Sequence, residues 1–219
     1  NLKRSFGLFI TLNLIAASLF FLVAQIGNTR ILSFYSKDTV LVEQAWEYLS
    51  IGSIAFFFTS LTNGFSFMYR CIQKTTVPMV IGIGVNIVNA SLNYVMIFGK
   101  IGFPAMGARG AATATVIATG LGLLAHMIYA VVTKQPYLGK LREMVDWPAH
   151  FLLPMLRRML PVMGNEMIFG LGDTMYIKAY GILGSTALEC YKVGYSISMM
   201  PYVVTLAIGN ACAMIVGEN

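Results

Sequence analysis

The sequence predicts an all-α integral membrane protein with six transmembrane helices, and three observations carry that prediction. The first is composition. Of 219 residues, 57% are hydrophobic and only 11% charged, where soluble domains carry roughly 25% charged residues. So little charge cannot clothe a water-facing surface, and the mean hydropathy of +0.72 points the same way. The second is length: several uncharged runs reach the roughly 20 residues that a helix needs to cross the hydrocarbon core. The third is where the basic residues fall. A net charge of +6 would suit a nucleic-acid partner, but the lysines and arginines sit in short connectors between apolar runs. They read as topology signals, and nucleic acid is excluded as a partner.

The spans follow in order. Uncharged runs cover 6–29, 48–69, 75–99, 110–133 and 193–217, and a sixth run, 159–182, is interrupted by Glu166, Asp173 and Lys178. These runs are apolar nearly all round, whereas a soluble core helix would be striped. The connectors set the direction. Lys3, Arg4, Arg70, Lys74, Lys134, Lys140, Arg142, Arg157 and Arg158 fall on one side; Arg30, Lys37, Lys100, Arg109 and Lys192 fall on the other. Nine against five makes the first side cytoplasmic, with both ends of the chain on that side of the cell membrane. The connector 135–158 is longer and more polar, and its segment 142–151, with Trp147, reads as interfacial. A lobe boundary is expected there: 1–134 closes one lobe with four spans, and 159–219 opens the next with two. The chain starts without Met and stops straight after an apolar run, so it is expected to be an interior piece of a longer membrane protein.

Polar residues inside the spans are the functional candidates. Asn86, Asn89 and Asn93 are spaced i, i+3, i+7 and share one helix face. A row of amides facing lipid is costly, so it faces protein or water. It serves either as interhelical hydrogen bonding or as the wall of a cavity for cation or substrate. The run 107–122 is dense in Gly, Ala and Thr, which lets helix backbones approach closely, with Thr113 and Thr115 as possible cavity residues. His126 is a lone histidine deep in this span and reads as a hydrogen-bonded structural residue rather than a proton relay.

Glu166 and Asp173 are different in kind. At 1.5 Å per residue they lie ~12 Å and ~22 Å beyond Arg158, at membrane depth, while Lys178 lies ~30 Å beyond and can snorkel to the far interface. Seven residues apart, the two carboxylates are only about 20° off one face. No other span offers a cation at their level. Carboxylates without basic partners imply water, a bound cation or protonation, which makes Glu166 the main candidate for cation coupling and Asp173 an auxiliary one, with Asn165 beside them. Gly170 and Gly172 imply a loosened helix or close packing, and Pro161 permits a kink. Cys71, Cys190 and Cys212 have no metal or disulfide spacing. No phosphate-binding loop, dinucleotide fingerprint, zinc-protease motif or catalytic triad pattern is present, so neither an enzyme nor a resident cofactor is expected; any coupling would run on Na⁺ or H⁺.

Two stretches resemble a known family. "FMYRCIQKTTVPM" followed by "NIVNASLNYVMIFGKIGFPAMGARGAATATVIA" is similar to the central signature of multidrug and toxic compound extrusion (MATE) transporters, with Arg70, Pro78–Met79, Ile97–Gly99, Gly102–Gly107 and Gly110–Thr115 at the signature positions. "LPVMGNEMIFGLGDTMYIKAYGILGSTALECYKV" is similar to the start of the family's second lobe. The resemblance implies a twelve-helix, two-lobe transporter of which this chain supplies helices 3 to 8. It also implies antiport of Na⁺ or H⁺ against cationic or amphipathic drugs and toxins by alternating access, in partnership with the lipid bilayer and the remaining helices. A lipid-linked oligosaccharide flippase of the same superfamily is the alternative, and a non-transporting scaffold or channel a third. Two departures from the family pattern stand out. Where some members carry Asn and Asp four apart, this chain has Asn89 and Asn93. Where others carry a glutamate about eight residues past the Leu-Pro proline, this chain has Phe169, with Glu166 one turn earlier.

Overall fold

The computed structural model describes residues 2–34, 38–100, 102, 104–139 and 147–216. Among the described residues the chain forms seven α-helices and no strand: α1 (Leu2–Ser33), α2 (Thr39–Gly52), α3 (Ala55–Cys71), α4 (Thr76–Phe98), α5 (Gly107–Val132), α6 (Ala149–Leu183) and α7 (Ser185–Val216). Lys37, Lys140 and Arg142, the side chain of Arg30 and the first half of segment 142–151 lie outside the described residues. The all-α membrane architecture stands. By length and composition, Leu2–Gly27, Thr76–Phe98 and Gly107–Val132 can each cross a membrane, and α2 with α3 makes a fourth if that bent pair is one span. The apolar stretch of α6 is diluted by its three charges, and the spanning of α6 and α7 rests on the sequence pattern.

The expected straight span over 48–69 is broken. The helix stops at Gly52 and restarts at Ala55 with a bend of 52°. The cause comes from another helix. The Gln25 side-chain amide donates to the Ser50 carbonyl at 3.0 Å and to Ser53 Oγ at 3.1 Å. Phe56 and Phe57 then turn to the tighter i→i+3 pattern, donating to Ser53 and Ile54. A side chain inserted into the backbone ladder is a standard source of a kink. Helix α6 also begins earlier than its apolar run, at Ala149, so the end of connector 135–158 is helical and continuous with it.

Helix α5 is the hub of the first five, packing against α2, α3 and most extensively α4. Its small residues explain why. Gly110, Ala114, Ala118 and Gly122 recur every four residues and all are buried. A Cβ on Gly110 would sit 2.6 Å from the Met96 carbonyl oxygen, and one on Gly122 would sit 2.6 Å from Val85 Cγ2. The backbones of α4 and α5 therefore meet because no side chain separates them. At the ends of α1, α3 and α5 an aromatic cluster of Phe6, Phe65, Tyr69 and Tyr137 closes the group. His126 is a buried structural residue there: Nδ1–H donates to the Gly122 carbonyl at 2.8 Å, leaving Nε2 to accept from Ser66 Oγ at 3.4 Å.

Helices α6 and α7 pack on each other. The turn between them is made at Gly184, whose φ of +118° is open only to glycine. The ammonium of Lys178 lies 3.4 Å from the centroid of the Phe34 ring, just past α1, so this lysine has an aromatic partner at the end of the first helix.

Candidate functional site

Two cavities collect the polar side chains. The larger, about 590 Å³, lies among α1, α2, α3 and α5 and is lined by Asn13, Tyr48, Thr59, Ser60, Asn63 and Thr115 together with apolar residues such as Phe20 and Phe56. The helical frame supplies the internal bonds: Asn13 Nδ2 donates to the Phe9 carbonyl at 2.8 Å, and Ser60 Oγ donates to the Asn13 carbonyl at 2.9 Å. Among the described residues, none of its lining side chains is charged.

The asparagine row divides. Asn93 donates to Asn89 Oδ1 at 2.9 Å, and Asn89 donates to Thr115 Oγ1 at 3.4 Å, so these three form a chain that ends at the cavity wall. Thr115 Oγ1 in turn donates to the Ala111 carbonyl at 2.9 Å. Asn93 Oδ1 is buried with no hydrogen-bond partner among the described residues, an acceptor held out of water. Asn86 takes no part: it is exposed and its amide donates to the Gly82 carbonyl of its own helix at 3.0 Å. At ~100° per residue, Asn86 lies about 60° around the helix from Asn89, enough to leave the α4–α5 seam. Thr113 also turns to its own helix, donating to the Arg109 carbonyl at 2.8 Å.

The second cavity, about 380 Å³, lies between α6 and α7 and is lined by Asp173, Tyr176, Tyr180, Tyr191 and Tyr195, with Phe169 and Gly172. The Tyr191 hydroxyl donates to Asp173 Oδ1 at 3.1 Å. Glu166 and Asn165 do not line it. Both are exposed on the preceding turns of α6, and among the described residues Glu166 makes no ion pair. A Cβ on Gly164, Gly170 or Gly172 would meet nothing within 4 Å, so these glycines are not packing sites within the described structure. The two carboxylates that share a helix face thus differ in surroundings: Asp173 is half-buried among tyrosines, Glu166 is not.

Sequence reasoning missed the four tyrosines and the Asn13–Ser60–Asn63 wall. The tyrosines left a signal, since 176/180 and 191/195 are both i, i+4 pairs and each pair shares a face. The wall left none, because it is assembled from two helices far apart in sequence, α1 and α3.

Apolar helices packed around cavities lined by polar side chains define this chain as an all-α multi-pass membrane protein. A family model described as MatE matches residues 1–95. A probable multidrug resistance protein NorM of Thermotoga maritima is 30% identical over 84% of this chain and 39% of its own length. An uncharacterized transporter, YisQ of Bacillus subtilis, is 27% identical over 86% of this chain and 41% of its own. A multidrug resistance protein NorM of Burkholderia vietnamiensis is 30% identical over 62% and 28% respectively. The chain belongs to the MATE family. It spans about two fifths or less of the length of these curated relatives. No solved structure matches it.

Proposed function

We propose that this chain is part of a cation-coupled antiporter that exports cationic or amphipathic drugs and toxins by alternating access, with Glu166 as the main coupling carboxylate and Asp173 as an auxiliary one. The observation that carries the reading is Glu166 itself. It is a carboxylate on an apolar stretch of α6, in a chain whose family relatives include multidrug resistance proteins, and no cation pairs with it among the described residues. Keeping a charge at membrane depth costs at least about 2.5–3.5 kcal/mol. A cycle that neutralises it with Na⁺ or H⁺ recovers that cost. The neutralisation must differ in affinity between inward- and outward-facing states, or a gradient could not drive the change.

The rest of the proposal is architectural. Helices α1–α5 pack among themselves and α6 with α7, which supports a lobe boundary in 135–158, with 1–134 in one lobe and 159–219 in the other. The nine-to-five asymmetry of basic residues supports the connector side as cytoplasmic. Asn89, Asn93 and Thr115 are candidates for the wall that binds cation or substrate in the first lobe, while Asn86, Thr113 and Asn165 bond to their own helices or face outward. A flippase for lipid-linked oligosaccharides would call for basic side chains against the phosphates, and among the described residues no Lys or Arg lines either cavity.

The test is gradient-driven drug efflux by the full-length protein in reconstituted vesicles, with a Na⁺ or an H⁺ gradient imposed in turn. Glu166→Gln keeps the shape and removes the titration. Efflux coupled to one gradient should collapse while expression and insertion persist. Wild-type coupling in the Glu166→Gln protein would overturn the assignment and leave the carboxylate structural.

A further inference from the structure

The break between α2 and α3 is not built like a fixed kink. No proline lies between Thr39 and Cys71. The two residues at the break keep right-handed helical backbone, Ser53 at φ −60°, ψ −23° and Ile54 at φ −62°, ψ −34°. Their backbone therefore permits one continuous helix. What is missing is an acceptor. In a continuous helix the Ile54 N–H would donate to the Ser50 carbonyl. That carbonyl already uses both lone pairs, accepting from the Gln25 amide at 3.0 Å and from Ser53 Oγ at 3.2 Å. The Ile54 N–H turns to the Ile51 carbonyl instead, at 3.1 Å.

Two ties hold α2 in this position. Gln25 fastens its inner end to α1. Further out, the Glu47 carboxylate pairs at 2.9 Å with Arg109 in the first turn of α5. Both arms of the bend line the larger cavity, through Tyr48, Leu49 and Gly52 on α2 and Thr59 and Ser60 on α3. The α1 wall opposite includes Ala17, which is buried. A change in the angle between the arms therefore changes the shape of the cavity.

We infer that α2 is a lid on this cavity, hinged at Ser53 and Ile54, with Gln25 as its latch. The Ser50 carbonyl is the switch. It accepts from the Gln25 amide in the bent arrangement and from the Ile54 N–H in the straight one. Exchanging one hydrogen bond for another leaves two discrete packings close in free energy, as a bistable element requires. Release of Gln25 frees α2 from α1 while the Glu47–Arg109 pair keeps it on α5, so the cavity opens between α1 and α2. The device is separate from the carboxylates of α6 and stands whether or not Glu166 couples an ion.

The experiment measures the bend by pulsed electron spin resonance on the full-length protein in nanodiscs. Spin labels go on Val40→Cys and on the exposed Cys71, at the far ends of the two arms, with every other cysteine replaced by serine. Straightening the 52° bend lengthens that span by about 4–5 Å, at 1.5 Å per residue. Gln25→Met, which keeps the length of the side chain and removes its donors, should shift the distance by that amount, and Gln25→Leu serves as a second apolar replacement. Ser53→Ala leaves the Gln25 amide on the Ser50 carbonyl and should keep the bent distance; a full shift there would overturn Gln25 as the latch. Ser18→Ala, whose hydroxyl donates to the Leu14 carbonyl of its own helix, should match the unmodified protein. The second readout is the rate at which Ala17→Cys, as the sole cysteine, reacts with the membrane-impermeant reagent 2-(trimethylammonium)ethyl methanethiosulfonate. That rate should rise when Gln25→Met is added. An unchanged distance in a folded Gln25 variant would sink the hinge, and a lengthened distance with an unchanged Ala17→Cys rate would sink the lid.

Discussion

Helices α5 and α6 both carry glycines inside long apolar helices, and the glycines do opposite things. In α5, Gly110 and Gly122 are contact points where a Cβ would collide with α4. In α6, Gly164, Gly170 and Gly172 have nothing within 4 Å. The difference lies in the neighbours. α5 is packed against three other helices, while α6 packs on α7. Polar groups follow the same division. On the α5 side the amides are tied into a chain from Asn93 to Thr115, whereas on α6 Glu166 is exposed. A membrane helix that is fully engaged spends its small residues on packing. One that is only partly engaged keeps its polar residues available for something else.

The sharpest way to break this comparison is at Gly110. Gly110→Ala drives a methyl group into the Met96 carbonyl, a backbone atom that cannot rotate away. Overpacking of this kind costs typically ~1–3 kcal/mol, and we expect the upper part of that range as a lowered midpoint of thermal unfolding of the purified full-length protein. An unchanged midpoint would show that the α4–α5 approach is looser than its geometry.

Next in size is Asn89→Leu. It removes the acceptor for the Asn93 amide and the donor to Thr115, beside an Asn93 Oδ1 that already lacks a partner. Interhelical hydrogen bonds within membranes are worth roughly 0.6–2 kcal/mol, so we expect a loss of about 1–2 kcal/mol in the same unfolding measurement. Efflux that falls further than this stability loss accounts for would place the asparagine chain in the transport path. Normal efflux from a normally expressed protein would leave it as interhelical bonding alone.

The smallest effect is expected at Gly170→Ala. With no neighbour to meet, the methyl group should stabilise the helix by up to ~1 kcal/mol through helix propensity. A destabilisation there would reveal a packing partner for this face of α6 in the full-length protein, and would bring α6 closer to α5 in kind.

Residue types and their spacing already carried a large part of this protein. Low charge and long apolar runs require lipid as solvent and helices as the solution, since every backbone polar group must be satisfied within the segment. The repeat of Gly110, Ala114, Ala118 and Gly122 marks a close-packing face, because positions four apart stack on one side of a helix. The isolation of Glu166 and Asp173 from basic residues was equally plain. Tertiary structure decided what no local pattern contains. The break after Gly52 exists because Gln25, on another helix, binds the carbonyl of Ser50. Asn86 parts from Asn89 because the α4–α5 seam has a finite width. Asp173 parts from Glu166 because the turn at Gly184 brings the tyrosines of α7 beside one carboxylate and not the other. Spacing along a helix determines which side chains share a face; only the packed neighbours determine what that face meets.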